Sequence, residues 1–447
     1  MTPPDLLIHA RWIVQPHTET LLEQHAVAIT KGRIVDILPS SQARERYAET
    51  KETVTLPEHA LIPGLINLHT HAAMSLMRGL ADDLPLMTWL NRHIWPAEAT
   101  HLSPQFVRDG TRLACAEMLK GGITCFNDMY FFPDDAAQAV METGIRAALG
   151  IVVVDFPTAW AGDADACLDR GLAARERWHH HDRITFCLAP HAPYTVSDTS
   201  LEKIQTLSAQ LELPIHLHIH ETADEIRDHL QTHGCRPLAR LERLGLLGPQ
   251  LIGVHAVHLE AQELDALARY NANIAHCPVS NLKLGSGIAP VTAMLEHGIN
   301  IGLGTDGAAS NNRLDLFQEM RLTSLLAKGK SHDASAVPAW RALQMSTVNA
   351  ARALGLEHDI GSIEIGKIAD LCAVELDAPE LSPCFDPVSH LVHCVGREHV
   401  SHVWVAGQCC VFDKALTGAL SAGLKSTAQL WQNRMIRDIE PDGCIPR

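Results

Sequence analysis

The run Gly64-Leu65-Ile66-Asn67-Leu68-His69-Thr70-His71 ends in two histidines two residues apart. In an extended strand that spacing puts both imidazoles on one face, where they can hold one metal ion between them. With 27 histidines in 447 residues the pair carries little weight alone, and its meaning depends on ligands further along the chain. Three later segments offer them: His218 and Glu221 in Pro214-Ile215-His216-Leu217-His218-Ile219-His220-Glu221, His255 in Val254-His255-Ala256-Val257-His258, and Asp306 in Gly304-Thr305-Asp306-Gly307. His69, His71 and His218 with Asp306 make three neutral imidazoles and a carboxylate, a donor set that suits one Zn2+ or, as the second choice, Fe2+. A divalent ion lowers the pKa of a water it holds, so the chemistry implied is hydrolysis. Asp306 can both bind the ion and accept the water's proton. Glu221 is placed to give a proton to the substrate, and His255 to orient the water or stabilise charge.

Two choices remain open at this level. His216, His218 and His220 share one face of a strand, so parity does not select the ligand, and His216 and His220 read as packing or supporting groups. Strict alternation sends Glu221 to the opposite face from His218, so the strand must end or bulge between them. In the next segment His255 stands nearer the strand end, and His258 reads as structural.

The elements that must position these residues follow from the apolar pattern. From residue 62 to about 356, apolar strands alternate with amphipathic helices, as in a parallel sheet with crossover helices. The strands fall at 65–69, 123–128, 146–154, 184–189, 215–218, 251–255, 273–276 and 299–302, with a helix at 111–120 stopped by Gly121-Gly122. Eight such strands predict an α/β fold, a (β/α)8 TIM barrel, whose chemistry takes place at the C-terminal strand ends. Residues 1–61 and 365–447 carry short strands instead, at 7–14, 26–29, 34–38, 369–375, 399–405 and 409–412. Neither end has enough of them for a domain, so the two are expected to build one small sheet domain around a barrel at 62–364.

The chain has 36 Lys and Arg against 52 Asp and Glu and no basic run, which argues against nucleic-acid or anionic-membrane partners. No apolar stretch approaches the roughly 20 residues of a membrane span. The start, Met1-Thr2-Pro3-Pro4-Asp5, lacks the layout of a signal peptide, so a cytoplasmic location is expected. The 12 cysteines are scattered without a Cys-x-x-Cys motif and read as small buried residues in a reducing compartment.

With these residues assembled, the chain resembles the amidohydrolase superfamily, in its cytosine-deaminase-like and chlorohydrolase-like branch, over nearly its full length. The matching segments are those around His69, His218 and His255, with Ser280-Asn281-Leu282-Lys283-Leu284-Gly285-Ser286-Gly287 and Leu303-Gly304-Thr305-Asp306-Gly307-Ala308-Ala309-Ser310-Asn311-Asn312. The resemblance implies a barrel flanked by a β-sandwich built from both termini. Two-metal members of the family use a carboxylated lysine on the fourth strand, which 184–189 lacks, so one metal is implied, and zinc above iron. Within the branch the chain looks like the 5'-methylthioadenosine/S-adenosylhomocysteine deaminases, hydrolases acting on C–N bonds of cyclic amidines. That likeness implies a small nucleoside as substrate and a homo-oligomeric assembly. It also implies that Trp89 lines the apolar side of the substrate, Glu98 accepts bonds from the ribose hydroxyls, His191 contacts the purine, Ser310 lies near the substrate and Arg146 sits near the amino-acid tail. The rival readings are a guanine or 8-oxoguanine deaminase, an s-triazine amino- or chlorohydrolase, and a non-catalytic scaffold of the same fold.

Overall fold

Strands whose residues are apolar on both sides must be covered on both faces. In the computed structural model, which describes residues 3–418 and 420–439, helices cover the outer face of the barrel sheet and its curling onto itself covers the inner one. The N-terminal part contributes β1 (Leu6–Gln15), β2 (Thr20–Thr30), β3 (Arg33–Pro39) and β4 (Glu52–Pro63). The barrel follows as β5 (Leu65–Thr70), β6 (Ile123–Asp128), β7 (Arg146–Val153), β8 (Ile184–Pro190), β9 (Ile215–Ile219), β10 (Leu251–His255), β11 (Asn273–His276) and β12 (Asn300–Leu303). The C-terminal part adds β13 (Leu371–Glu375), β14 (Val400–Val405), β15 (Gln408–Phe412) and the short β16 (Ala415–Leu416).

The barrel strands pair in sequence order from β5 to β12, all parallel. At the seam between β12 and β5 a side chain does the joining. Asn67, buried on β5, donates to Thr305 Oγ1 at 2.8 Å and accepts from the Thr305 backbone N–H at 2.9 Å. The Asp306 N–H then donates to the His69 carbonyl at 3.0 Å, which ties the metal-binding turn to the metal-binding strand.

Both termini share the other sheet, in the order β16-β15-β14-β13-β4-β1-β2-β3. Ile34 on β3 and Trp404 on β14 lie far apart in that order yet belong to one apolar cluster, and the β3 backbone bonds to the segment leading into β13 (Ile34 N to Lys367 O, 2.9 Å). The sandwich is therefore one sheet curled over its own apolar face. Sequence patterning shows only three of the four N-terminal strands. β4 is obscured because Pro57-Glu58-His59 interrupt its alternation, and the β1–β4 register shifts at that point, from Ala10 opposite Leu56 to Trp12 opposite Ala60. The helix expected at 111–120 begins earlier, at Pro104–Lys120. Ser103 caps it by accepting the Phe106 N–H, and proline takes the first turn, where its missing N–H costs nothing. Among the described residues no helix is long and apolar enough to cross a membrane.

Arg146 is where the structure corrects the sequence reading. It is the first residue of β7, about 20 Å along the strand from Val152, which lines the cavity described below. Its Nε donates to Asp370 Oδ2 at 3.0 Å, and a second nitrogen donates to the Asp182 carbonyl. Asp370 in turn accepts the Ala406 N–H through its other oxygen. Both side chains are buried, so the pair joins the bottom of the barrel to the curled sheet. Arg146→Ala strands a buried carboxylate, and breaking a buried pair in this way costs about 3–5 kcal/mol. The variant is expected to unfold at a clearly lower urea concentration with its KM unchanged; a normal midpoint with a raised KM would return Arg146 to the substrate.

Candidate active site

Strand alternation points Asn67, His69, His216 and His218 to the barrel interior, while Leu217 and Ile219 join the packing outside. The ligand atoms of His69, His71, His218 and Asp306 all lie within 4.8 Å of one another. His69 Nε2 and His71 Nε2 stand 3.1 and 3.2 Å from Asp306 Oδ1, and His218 Nε2 stands 3.2 Å from His69 Nε2. Each ring's other nitrogen is engaged outside the cluster. His71 Nδ1–H donates to the Met129 carbonyl (2.6 Å), His218 Nδ1–H to the His191 carbonyl (2.7 Å), and His69 Nδ1–H to His216 Nε2 (2.9 Å). Such partners orient each ring so that its Nε2 points into the cluster, where a cation would be held. This donor set fits a divalent transition metal, zinc above all.

Asp306 is held from all sides. Its Oδ1 accepts the Gly307 N–H at 2.7 Å, and its Oδ2 accepts the hydroxyls of Ser280 (2.6 Å) and Ser310 (2.7 Å). Gly304 is required because a Cβ there would lie 2.8 Å from the His69 Cβ and backbone nitrogen. Hydrogen bonds from His69 and His71, with their electrostatic attraction, hold the Asp306 carboxyl well below the usual carboxylate range despite its burial. Burial lowers His69 to about 4. In His71 the same burial is outweighed by the hydrogen bond and charge of Asp306, which raise it to about 9. Burial, then the charge of neighbouring imidazoles, pushes His218 and His216 well below the ordinary value.

The geometry also resolves the parity problem at Glu221. β9 ends at Ile219, and His220 takes a left-handed conformation (φ 51°), turning Glu221 back toward the cavity. His255 (φ 71°) and Asp306 (φ 60°), which line the cavity themselves, also take the left-handed conformation at or just beyond the ends of their strands. Non-glycine residues held there cost about 1–3 kcal/mol each and cluster at active sites. Glu221 Oε2 lies 3.8 Å from His255 Nε2, and burial raises its carboxyl above the usual range. His255 Nδ1–H donates to Asn281 Oδ1 at 2.9 Å, so its Nε2 faces the cavity. His220 accepts the Leu238 N–H, and His258 Nε2 pairs with the Ser286 carbonyl, so both are structural.

A cavity of about 480 Å³ opens above the cluster. Trp89, Glu98, His191 and Ser310 all line it, together with His71, His218, Glu221, His255 and Asp306, whereas His69 lies buried beneath. One insertion after β5 supplies much of the wall, with Leu86, Leu90, Ile94, Glu98 and Leu102 lining the cavity at every fourth residue. In a pure α-helix each four-residue step overshoots by about 40°, which would carry this stripe roughly 160° around. The π turn at Leu90–Ile94 is wider and takes back part of that drift, keeping Glu98 on the cavity side. Glu98 accepts a bond from the Tyr130 hydroxyl at 2.7 Å, and burial raises its carboxyl. Burial, with help from the charge of His71 and His69, lowers His191 to about 3, so it offers a neutral ring. Tyr130, Ser280 and Asn281 were not singled out from sequence. The last two lay inside the matched segment 280–287, and Tyr130 stands two residues past the end of β6.

A barrel with this buried cluster at its C-terminal strand ends defines a metal-dependent hydrolase. The model of the amidohydrolase family matches residues 60–410, and the chain belongs to that family. It is 47% identical to the 5-methylthioadenosine/S-adenosylhomocysteine deaminase of Saccharophagus degradans over 96% of this chain and 97% of that protein. It is 42% identical to the 5'-deoxyadenosine deaminase of Methanothermobacter thermautotrophicus, over 88% and 91%. The crystal structure of an adenosine deaminase from Xanthomonas campestris with bound zinc superposes with a TM-score of 0.96 at 46% identity, covering 97% of this chain and 99% of that one.

Metal uptake follows from the protonation of the cluster. Without metal, His71 keeps its second proton up to about pH 9, and an ion binding Nε2 must displace it. Affinity should therefore climb about tenfold per pH unit toward pH 9 and level off above it. Calorimetric titration of chelator-stripped protein with Zn2+ at pH 7, in buffers of different ionisation heat, is expected to show about one proton released per ion; release of none would place that proton elsewhere.

Proposed function

We propose that the protein deaminates an adenine nucleoside hydrolytically, turning 5'-methylthioadenosine or S-adenosylhomocysteine into the inosine analogue and ammonia. The observation that carries this reading is one cavity holding both the metal cluster and a second, partly buried carboxylate, Glu98, on the wall above it. A carboxylate accepts two bonds at once, which matches the cis-diol of a ribose. Guanine or an s-triazine would leave Glu98 and Tyr130 without a partner on the substrate, and a scaffold would have no need of the filled cluster. The names of the relatives point the same way.

The metal, when bound, supplies a Lewis acid that lowers the pKa of a water held there. The chain's own residues move the protons. Glu221, with its carboxyl raised by burial, delivers a proton to N1 of the purine, which relieves the charge that attack at C6 would otherwise build on the ring. His255, oriented by Asn281, and Asp306 accept the proton of the attacking water, and Asp306 passes it to the departing amine. Trp89 and His191 frame the base. No Lys or Arg lines the cavity among the described residues, and Trp95 and Phe156 meet at 6.4 Å on its wall, which favours the apolar methylthio tail over a zwitterionic one. In this reading the protein works in the cytoplasm as a homo-oligomer, and the free thiols of its described cysteines suit a reducing compartment.

Release of ammonia, screened over methylthioadenosine, S-adenosylhomocysteine, adenosine, guanine and an aminotriazine, with chloride release followed for a chlorotriazine, tests the reading directly. The nucleosides are expected to react and the free base and triazines to stay unchanged. Glu221→Gln should keep its metal and lose about 10²- to 10⁴-fold in kcat, the usual contribution of a positioned acid. Glu98→Ala should lose about a hundredfold in kcat/KM for methylthioadenosine, because hydrogen bonds to charged groups contribute about 1.5–3 kcal/mol each. An undiminished value in either variant would remove that residue from its role.

A further inference from the structure

Thr222-Ala223-Asp224-Glu225 reads as an ordinary capping box at the start of helix Ala223–His233, in which the glutamate would reach back to the N–H of the capping threonine. Half of that box forms, since Thr222 Oγ1 accepts the Glu225 N–H at 3.1 Å. The glutamate does something else. Its carboxylate passes the threonine and takes the two preceding amides, Oε1 accepting the His220 N–H at 3.1 Å and Oε2 the Glu221 N–H at 2.7 Å. Those two peptide units flank the left-handed His220, the turn that returns Glu221 to the cavity. Glu225 is not among the residues lining the cavity, and the ion pairs of the described residues do not include it. A partly buried carboxylate spending both oxygens on the main chain of an acid/base residue, with no cation to balance it, calls for a reason beyond capping.

We infer that Glu225 is a positioning residue for the reaction: by clamping the amides of His220 and Glu221 it fixes the main chain from which the Glu221 carboxyl meets the substrate. The inference rests on the proton-donating role proposed above for Glu221. Misplacing a reacting group by about 1 Å can cost about a hundredfold in rate. Glu225→Gln keeps one acceptor oxygen and turns an NH2 against an N–H, so it is expected to lose about tenfold in kcat. Glu225→Ala loses both bonds and should fall about a hundredfold. In both, KM should stay within about twofold of wild type and the metal content should remain that of wild type.

A structural role alone would not predict the next result. In a Glu221→Gln background, with product followed by chromatography over long incubations, adding Glu225→Ala should cost almost nothing further, because the group it positions is already gone. If the alanine variant does not fold, the near-isosteric glutamine variant carries the same cycle. Wild-type kcat in Glu225→Ala, an equal loss in both backgrounds, or a loss of metal in place of kcat would each overturn the inference. Wild-type turnover of the nucleosides is measured alongside: if none reacts, the nucleoside reading fails by itself, and the cycle is run on whichever compound does react.

Discussion

Asp306 is the point on which the rest of the site depends. A carboxylate buried this deeply must have its oxygens occupied, and here five protein groups converge on two atoms: His69, His71 and the Gly307 amide on one, and Ser280 and Ser310 on the other. These partners come from β5, from the segment after β11 and from the turn after β12. The burial of one anion thus locks the seam of the barrel, and Asn67 and Thr305 fasten it one layer below. Because the negative charge is held in place, it gathers cationic or metal-binding groups around it.

The same economy appears in the chain's turns. His220, His255 and Asp306 each adopt a left-handed backbone at or beyond the end of a strand, and at His220 this returns Glu221 to the cavity, from which alternation would have turned it away. Such a conformation persists only when its surroundings over-determine it. The neighbours that do so can be named. The Glu225 carboxylate spans the amides around His220, the Asn281 side chain holds the His255 ring, and the Gly307 amide and two serines hold Asp306. The barrel supplies rigid strand ends, and short local clamps aim the reactive groups from them.

The wall above the metal cluster is built differently. One insertion after β5 brings its apolar side chains and Glu98 to the cavity through a helix whose π turn corrects the drift of a four-residue stripe. The metal cluster thus comes from the strand ends and much of the cavity wall from a loop, the division usual for (β/α)8 enzymes.

Much of this was legible in the chain itself. Strand and helix periods are local properties, so all eight barrel strands fall within a residue or two of their expected places, and the residue types of His69, His71, His218, Glu221, His255 and Asp306 declare metal-assisted proton chemistry before any fold is known. Other features are set by contacts between residues far apart in sequence. β4 is hidden by Pro57-Glu58-His59 and exists because β1 and β13 flank it. Arg146 looks like a ligand for an acid and turns out to be one, for Asp370, at the wrong end of its strand. Tyr130 has no motif and gains its place only when the insertion brings Glu98 across to it. Sequence determined which chemical groups the protein carries and the period on which they are strung. The tertiary structure decided which of them meet, because that depends on where each strand stops and which distant segment is packed against its end.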